Sequence, residues 1–253
     1  MSAKHSKATI ISLAVISSAA ATLLHEGVGH GVIAWLRGDI PTELTSNHLS
    51  ALHADHWVEA GGTIVNLIVG AISLIASQTS GNRANLRYFL WIFAALNLLP
   101  GAGYFLYSGV MNVGDWQAVV ANLPHQFAAH AVLAIFGALL YYFAVYRLAI
   151  AIKPFCAKRA DYNTVGRLPY YAACLFSCAA GAFDPLGLKI FFLSTVAAAF
   201  GGLSGLLWAE SLIPANPSEE QLWVRPQPVW WIVATIFGLS YIVVIGRGIK
   251  FAH

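Results

Sequence analysis

Charged residues are scarce in this 253-residue chain, since Lys, Arg, Asp and Glu together make up only 10% of it. A soluble domain carries about 25% charged residues, so the composition excludes an ordinary soluble globular protein. The formal charge of +3 is too small to indicate a nucleic-acid partner, and no basic run is interleaved with aromatic residues. Three cysteines, an odd number, exclude a complete disulfide framework.

The chain consists mainly of long apolar segments: 58% of its residues are hydrophobic and its mean hydropathy is +0.67. A membrane-spanning helix needs about 20 mostly apolar residues. We therefore predict an all-α, polytopic membrane helical bundle with six to seven transmembrane spans. The predicted spans are residues 8–36, 60–77, 88–107 and 127–150, two spans within 168–208, and 229–245. Residues 1–150 would form a core membrane domain with a candidate metal site, and residues 151–253 would add C-terminal spans to the same domain.

The distribution of basic residues predicts an orientation for the first four spans. Basic residues cluster before span 1, between spans 2 and 3, and after span 4. The positive-inside rule places all three clusters in the cytoplasm, so we expect a multi-pass protein of a bacterial-type plasma membrane with a cytoplasmic N-terminus. Beyond residue 168 the rule gives no consistent topology, because the last basic residues, Arg247 and Lys250, would lie outside.

Three ionisable residues, His25, Glu26 and His30, lie within the first predicted span. Each charged residue costs about 2.5–3.5 kcal/mol at the centre of a span, so intramembrane ionisable residues indicate function by default. Two imidazoles and a carboxylate are the groups with which a zinc hydrolase holds its metal and moves a proton. The cluster therefore predicts a metal site.

The two histidines are five residues apart, so on a regular α-helix their side chains would point about 140° from each other. A π-helical bulge absorbs one extra residue, and we predict such a widened turn, or a broken one, at His25–His30. Our hypothesis is that His25 and His30 bind Zn²⁺ while Glu26 is the general base that takes a proton from water. Two alternatives remain open: Glu26 and His30 as ligands, four residues apart, or a buried polar cluster that only ties helices together.

Two further motifs lie in spans 2 and 3. The segment from Ala60 to Asn66 combines small residues, which let helices approach closely in lipid, with an asparagine that can bond across helices. Span 3 contains Asn97 and, three residues later, Pro100, followed by Gly101 and Gly103. We predict that the proline interrupts this helix, because broken helices are tolerated at membrane depth beside protein or a wet cavity. The freed carbonyls could then bind an extended substrate strand.

Taken in order, these motifs resemble the site-2 protease family of intramembrane zinc metalloproteases, over about residues 20–116. That family has H-E-x-x-H in one span, a small-residue motif ending in Asn in the next, and N-x-x-P followed by an aspartate in a third. The resemblance implies hydrolysis of a membrane-embedded or membrane-proximal peptide. It also implies Asp115 as third zinc ligand, with Asn66, Asn97 and Pro100 along the substrate path. The spacings His25–His30 and Ala60–Asn66 are each one residue longer than in the family.

Two other functions fit parts of the sequence. The pairs His25/His30, His48/His53 and His125/His130 share one spacing, and imidazole suits iron as well as zinc. They would fit a membrane non-haem iron oxidase or a desaturase-like enzyme. A non-enzymatic transporter or scaffold could instead use the buried charges as a pathway, although no internal repeat is present. The partners we predict are the lipid bilayer and a membrane-embedded peptide or protein substrate, with no nucleic acid, and the oligomeric state is open.

Overall fold

The computed structural model describes residues 4–216, 218 and 220–251, and 74% of the chain is helical. Six of the helices in this part of the chain are long and apolar enough to cross a membrane, namely all but α4 and α6. The predicted all-α polytopic bundle is therefore confirmed. In chain order the helices are α1 (Lys7–Leu36), α2 (His56–Thr79), α3 (Ala84–Met111), α4 (Asp115–Val120), α5 (Gln126–Phe155), α6 (Leu168–Gly181), α7 (Leu188–Leu212) and α8 (Pro228–Ile245).

Helix α3 lies at the centre of the bundle, packed between α2 and α5 and also against α1. Its first turns bury Tyr88 and Trp91 almost completely. A buried aromatic donor needs a partner, and both find one on a neighbouring segment. The Trp91 indole donates to the Leu148 carbonyl of α5 at 3.0 Å, and the Tyr88 hydroxyl donates to the Val165 carbonyl before α6 at 2.8 Å. These bonds hold α3 in register with both neighbours.

Four segments meet at one end of the bundle, which we call the basic end. They are the N-terminus, the turn between α2 and α3, the segment after α5 and the segment before α8. The Ser6 amide donates to the Val224 carbonyl at 2.9 Å, and the Leu222 amide donates to the Pro154 carbonyl at 2.8 Å. The Asn85 amide donates to the Gln227 side chain at 2.7 Å. Helix α8 therefore starts at the same end as α1 and α3.

The opposite end carries a small antiparallel sheet, and we call it the hairpin end. Strands β1 (Pro41–Leu44) and β2 (Leu49–Ala51) form a hairpin, and β3 (Ile249–Lys250), after α8, pairs with the free edge of β1. The turn between α6 and α7 also lies here, because its Asp184 accepts hydrogen bonds from Thr45 and Asn47, both at 2.9 Å. Helices α6, α7 and α8 therefore alternate in direction between the basic end and the hairpin end.

Three predictions about local structure were wrong. Helix α3 continues through Pro100 without a break. The segment between α1 and α2, whose polar and histidine-rich sequence predicts a loop, contains the β-hairpin. Of the two spans expected within residues 168–208, only the second, α7, is among the helices long and apolar enough to cross a membrane.

Candidate metal centre

A π-helical segment, Leu24–Val32, interrupts α1 at the histidines, as the five-residue spacing predicted. The wider turn rotates His30 back towards His25, so their ring centroids lie 4.8 Å apart with the planes at 82°. Both side chains are buried. The distortion therefore brings together two imidazoles that a regular α-helix would separate.

Helix α4 supplies a carboxylate to the same point. Asp115 is its first residue and follows Gly114, whose φ of 87° turns the chain back after α3. Asp115 Oδ2 lies 3.3 Å from His25 Nε2 and 3.6 Å from His30 Nε2. Ligands at about 2.0–2.1 Å from a tetrahedral zinc lie about 3.3–3.4 Å from each other. The spacing of the three atoms therefore fits a single small cation.

The protonation pattern of the cluster also fits a cation. His30 Nδ1 lies 2.7 Å from the Val58 carbonyl, which can only accept, so Nδ1 carries the proton and Nε2 keeps its lone pair. His25 Nε2 and Asp115 Oδ2 are buried and make no hydrogen bond. Unpaired buried polar groups cost about 1–3 kcal/mol each, and a metal ion would satisfy both.

Helix α2 approaches the π-helical segment through two glycines. Gly29 of α1 lies against the backbone of Gly61 and Gly62, with no room for a side chain at any of the three. A Cβ at Gly62 would lie 2.6 Å from Nε2 of both His25 and His30. The small-residue motif of span 2 therefore does more than allow helix packing, because Gly62 leaves the space in which the ligand atoms meet.

A cavity of about 90 Å³ adjoins the cluster, with His25 and Glu26 in its wall. Glu26 is only 4% exposed, and one of its oxygens lies 4.0 Å from His30 Nε2. Of the residues predicted along the substrate path, Asn66 and Pro100 line this cavity and Asn97 does not. Asn97 is fully buried, and its amide donates to the Phe93 carbonyl of its own helix at 2.7 Å.

The far wall of the cavity comes from α6, α7 and α8, which no sequence motif places at the site. Their polar contributions are hydroxyls: Ser177 from α6, Ser194 and Thr195 from α7, and Tyr241 from α8. No sequence signal distinguishes these residues from ordinary packing residues. Tyr104 of α3, also in the wall, was missed although it directly follows the motif that contains Pro100.

The other histidine pairs do not form a comparable cluster. Within the described part of the chain, His25, His30 and Asp115 are the one group of three His, Cys, Asp or Glu residues with ligand atoms within 4.8 Å of one another. His48 lies instead between Glu43 and Asp184 at the hairpin end, and the His53 side chain is 85% exposed. Comparison of the chain with family models, curated proteins and solved structures finds no match.

Proposed function

We propose that this protein is an intramembrane zinc metallopeptidase. The observation that carries the proposal is the convergence of three buried ligand atoms, from His25, His30 and Asp115, beside a carboxylate in a cavity wall. Three protein ligands with one open position are the arrangement of catalytic zinc sites, whereas structural sites are closed by four. The resemblance of residues 20–116 to site-2 proteases points to the same chemistry.

Each residue of the cluster then has a defined part. His25, His30 and Asp115 would hold the ion, and the Val58 carbonyl keeps His30 in the tautomer that presents Nε2. A bound zinc supplies Lewis acidity, which polarises a carbonyl and makes water easier to deprotonate. Glu26 lies on the cavity side of the cluster, where its carboxylate would accept a proton from the attacking water and pass it to the departing amine.

The cavity wall supports a peptide as substrate. Apart from Glu26 and His25, its polar groups are neutral amides and hydroxyls, set among Ala, Leu, Phe and Pro side chains. Three of these groups are buried without a partner: Ser46 Oγ, Asn66 Oδ1 and Tyr241 Oη. An unwound peptide segment offers amide donors and carbonyl acceptors to such groups. Because α3 is continuous, we do not assign this binding to freed carbonyls of span 3.

We further propose that the basic end faces the cytoplasm of a bacterial-type plasma membrane. Most of the Lys and Arg residues belong to it, from Lys4 and Lys7 to the segment between Lys153 and Arg167. His25 then lies about 27 Å along α1 from its cytoplasmic start, at 1.5 Å per residue. The cluster would sit near the outer side of the hydrocarbon core, beneath the β-hairpin.

Elemental analysis of the purified protein, combined with a cleavage assay, tests the proposal. Wild type should contain zinc, and His25→Ala, His30→Ala and Asp115→Ala should each lose it. The control is His53→Ala, which removes an exposed histidine outside the cluster and should keep the metal. Glu26→Gln should keep zinc and lose cleavage of a transmembrane peptide reconstituted with the protein. Full cleavage by Glu26→Gln would remove Glu26 as the base, and zinc retention by all three ligand variants would reject the site.

One observation favours a second candidate. Two histidines and one carboxylate with open positions are also the ligand set of non-haem Fe(II) oxygenases, so the cluster suits a membrane iron oxidase. Glu26 favours the hydrolase, since an oxidase has no need of a carboxylate base beside the ligands. Iron without zinc in protein purified from cells grown with both metals would decide for the oxidase.

A further inference from the structure

The two histidines of the cluster are held in different ways. His30 is oriented by the hydrogen bond from its Nδ1 to the Val58 carbonyl. His25 has no such bond, because both of its ring nitrogens are buried without a hydrogen-bond partner. A metal-binding histidine is usually fixed by a bond from its second nitrogen. Something else must therefore orient the His25 ring.

The aromatic ring of Tyr104 lies against His25. The two ring centroids are 5.0 Å apart and the planes are inclined by only 20°, which is a stacked arrangement. The His30 ring also contacts His25, in an edge-to-face arrangement with the planes at 82°. Stacking against one ring and edge contact with another leaves the imidazole little freedom to rotate.

Helix α3 presents Tyr104 from a well-anchored position. The neighbouring Ala102 and Phe105 are buried. One turn further along α3, Tyr107 donates to the Leu193 carbonyl of α7 at 2.8 Å. Tyr104 itself makes no hydrogen bond among the described contacts, so its link to the cluster is the ring face.

We propose that Tyr104 is a positioning residue, whose ring, not its hydroxyl, fixes His25 in the orientation that binds the metal. This inference rests on the proposed metal site. The stack performs the task that the Val58 carbonyl performs for His30. The flat phenol face restricts rotation of the imidazole, so that Nε2 stays directed at Asp115 and His30 before the ion arrives. Such preorganisation raises metal affinity because less rotational freedom is lost on binding.

The test compares zinc affinity, by competition with a chelator, and the visible absorption of the cobalt-substituted protein. Tyr104→Phe keeps the ring and should match wild type in both. Tyr104→Leu and Tyr104→Met remove the flat face and should weaken affinity by about 10-fold or more, the loss that supporting residues of metal sites usually cause. They should also change the cobalt spectrum. The matched control is Tyr146→Leu, the same kind of aromatic-to-aliphatic change at an exposed position of α5, which should keep wild-type affinity.

Two results would overturn the role of Tyr104. Wild-type affinity and an unchanged cobalt spectrum in either Tyr104→Leu or Tyr104→Met would show that the ring face is not needed. A loss of affinity of about 10-fold or more in Tyr104→Phe, the size expected for removal of a supporting group, would assign the effect to the hydroxyl. The Phe variant gives this second answer even if both aliphatic variants fail to fold. A wild-type protein that binds neither zinc nor cobalt would instead reject the metal site, and with it the proposed function.

Discussion

The substitution Gly62→Ala tests whether α2 shapes the metal centre or only packs against it. The added methyl would lie 2.6 Å from Nε2 of both His25 and His30, where ordinary contact begins at 3.4 Å. The rings must therefore retreat by about 0.8 Å, whereas zinc–ligand distances tolerate only about 0.2 Å. Displacement of the ligands should weaken zinc binding by about 100-fold or more, which corresponds to about 2.7 kcal/mol at 1.36 kcal/mol per tenfold.

The assay is zinc affinity, measured on detergent-purified protein together with helix content and the temperature of unfolding. Gly27→Ala is the matched control, because this glycine lies in the same π-helical segment and a Cβ there would meet nothing within 4 Å. It should retain wild-type affinity. Gly61→Ala gives a second comparison, since its methyl would meet the Gly29 backbone and not a ligand. We expect it to lower stability by forcing α1 and α2 apart.

The three variants therefore separate a loss of metal from a loss of packing. Near-normal zinc affinity in a folded Gly62→Ala protein would refute the reasoning, because the methyl cannot share the space with ligands in the geometry described. Equal losses in Gly62→Ala and Gly27→Ala would also refute it, since helix propensity, not contact, would then explain both.

Two further predictions concern the hairpin end. Asp184→Ala removes the buried acceptor shared by Thr45 and Asn47. Hydrogen bonds to charged groups are worth about 1.5–3 kcal/mol each, so we expect the unfolding free energy to fall by about 3 kcal/mol or more. Amide hydrogen exchange across the hairpin should become faster, and unchanged exchange would contradict this prediction. Asp55 caps the N-terminus of α2. Its slight burial acts to raise the pKa of its carboxyl group. Hydrogen bonds from the Val58 and Trp57 amides and the Arg37 guanidinium outweigh this effect, so the pKa lies below its ordinary value of 3.8. The cap stabilises the protein by about 1 kcal/mol. This contribution should be present at higher pH and disappear as the pH falls through the lowered pKa of Asp55. An equal stability difference between wild type and Asp55→Ala at pH 7 and at pH 2 would contradict the prediction.

The spans were predictable because lipid imposes a length and a composition on any helix that crosses it. The first span was expected at residues 8–36 and is Lys7–Leu36, and the third was expected at 88–107 and is Ala84–Met111. Several helices continue past their apolar segments into polar residues, and a hydropathy profile does not detect these extensions. This is why starts and ends were less accurate than the number of spans.

The widened turn was predictable from one number, the spacing between His25 and His30. Two residues five apart share a face of a helix only if one extra residue enters the turn, so their meeting required this distortion. The same reasoning failed at Pro100, where a break was expected. A proline removes the hydrogen bond to the carbonyl four residues earlier, here that of Leu96. Both Leu96 and Pro100 border the cavity, so the gap lies where an open space can accommodate it.

The hairpin could not be found from local pattern. Its strands are four and three residues long, too short to show an alternation. The partner of β1 on its other edge, β3, lies some 200 residues later, with Glu43 opposite Lys250. Thr45 and Asp184, which share a buried hydrogen bond, are likewise 139 residues apart. Long-range pairing of short segments leaves no periodic signal.

The division of the chain into a motif-bearing half and an added half does not describe the site. Ionisable groups reveal themselves in an apolar sequence because they are costly there, and all of those in the cluster lie before residue 116. A hydroxyl such as that of Ser177 or Thr195 costs little in a span and serves equally well to join helices. Yet the Tyr241 side chain of α8 lines the same cavity as Glu26. The first half therefore carries the proposed metal ligands, and the cavity beside them is walled by the second half. We expect residues 1–150 alone not to form a complete site.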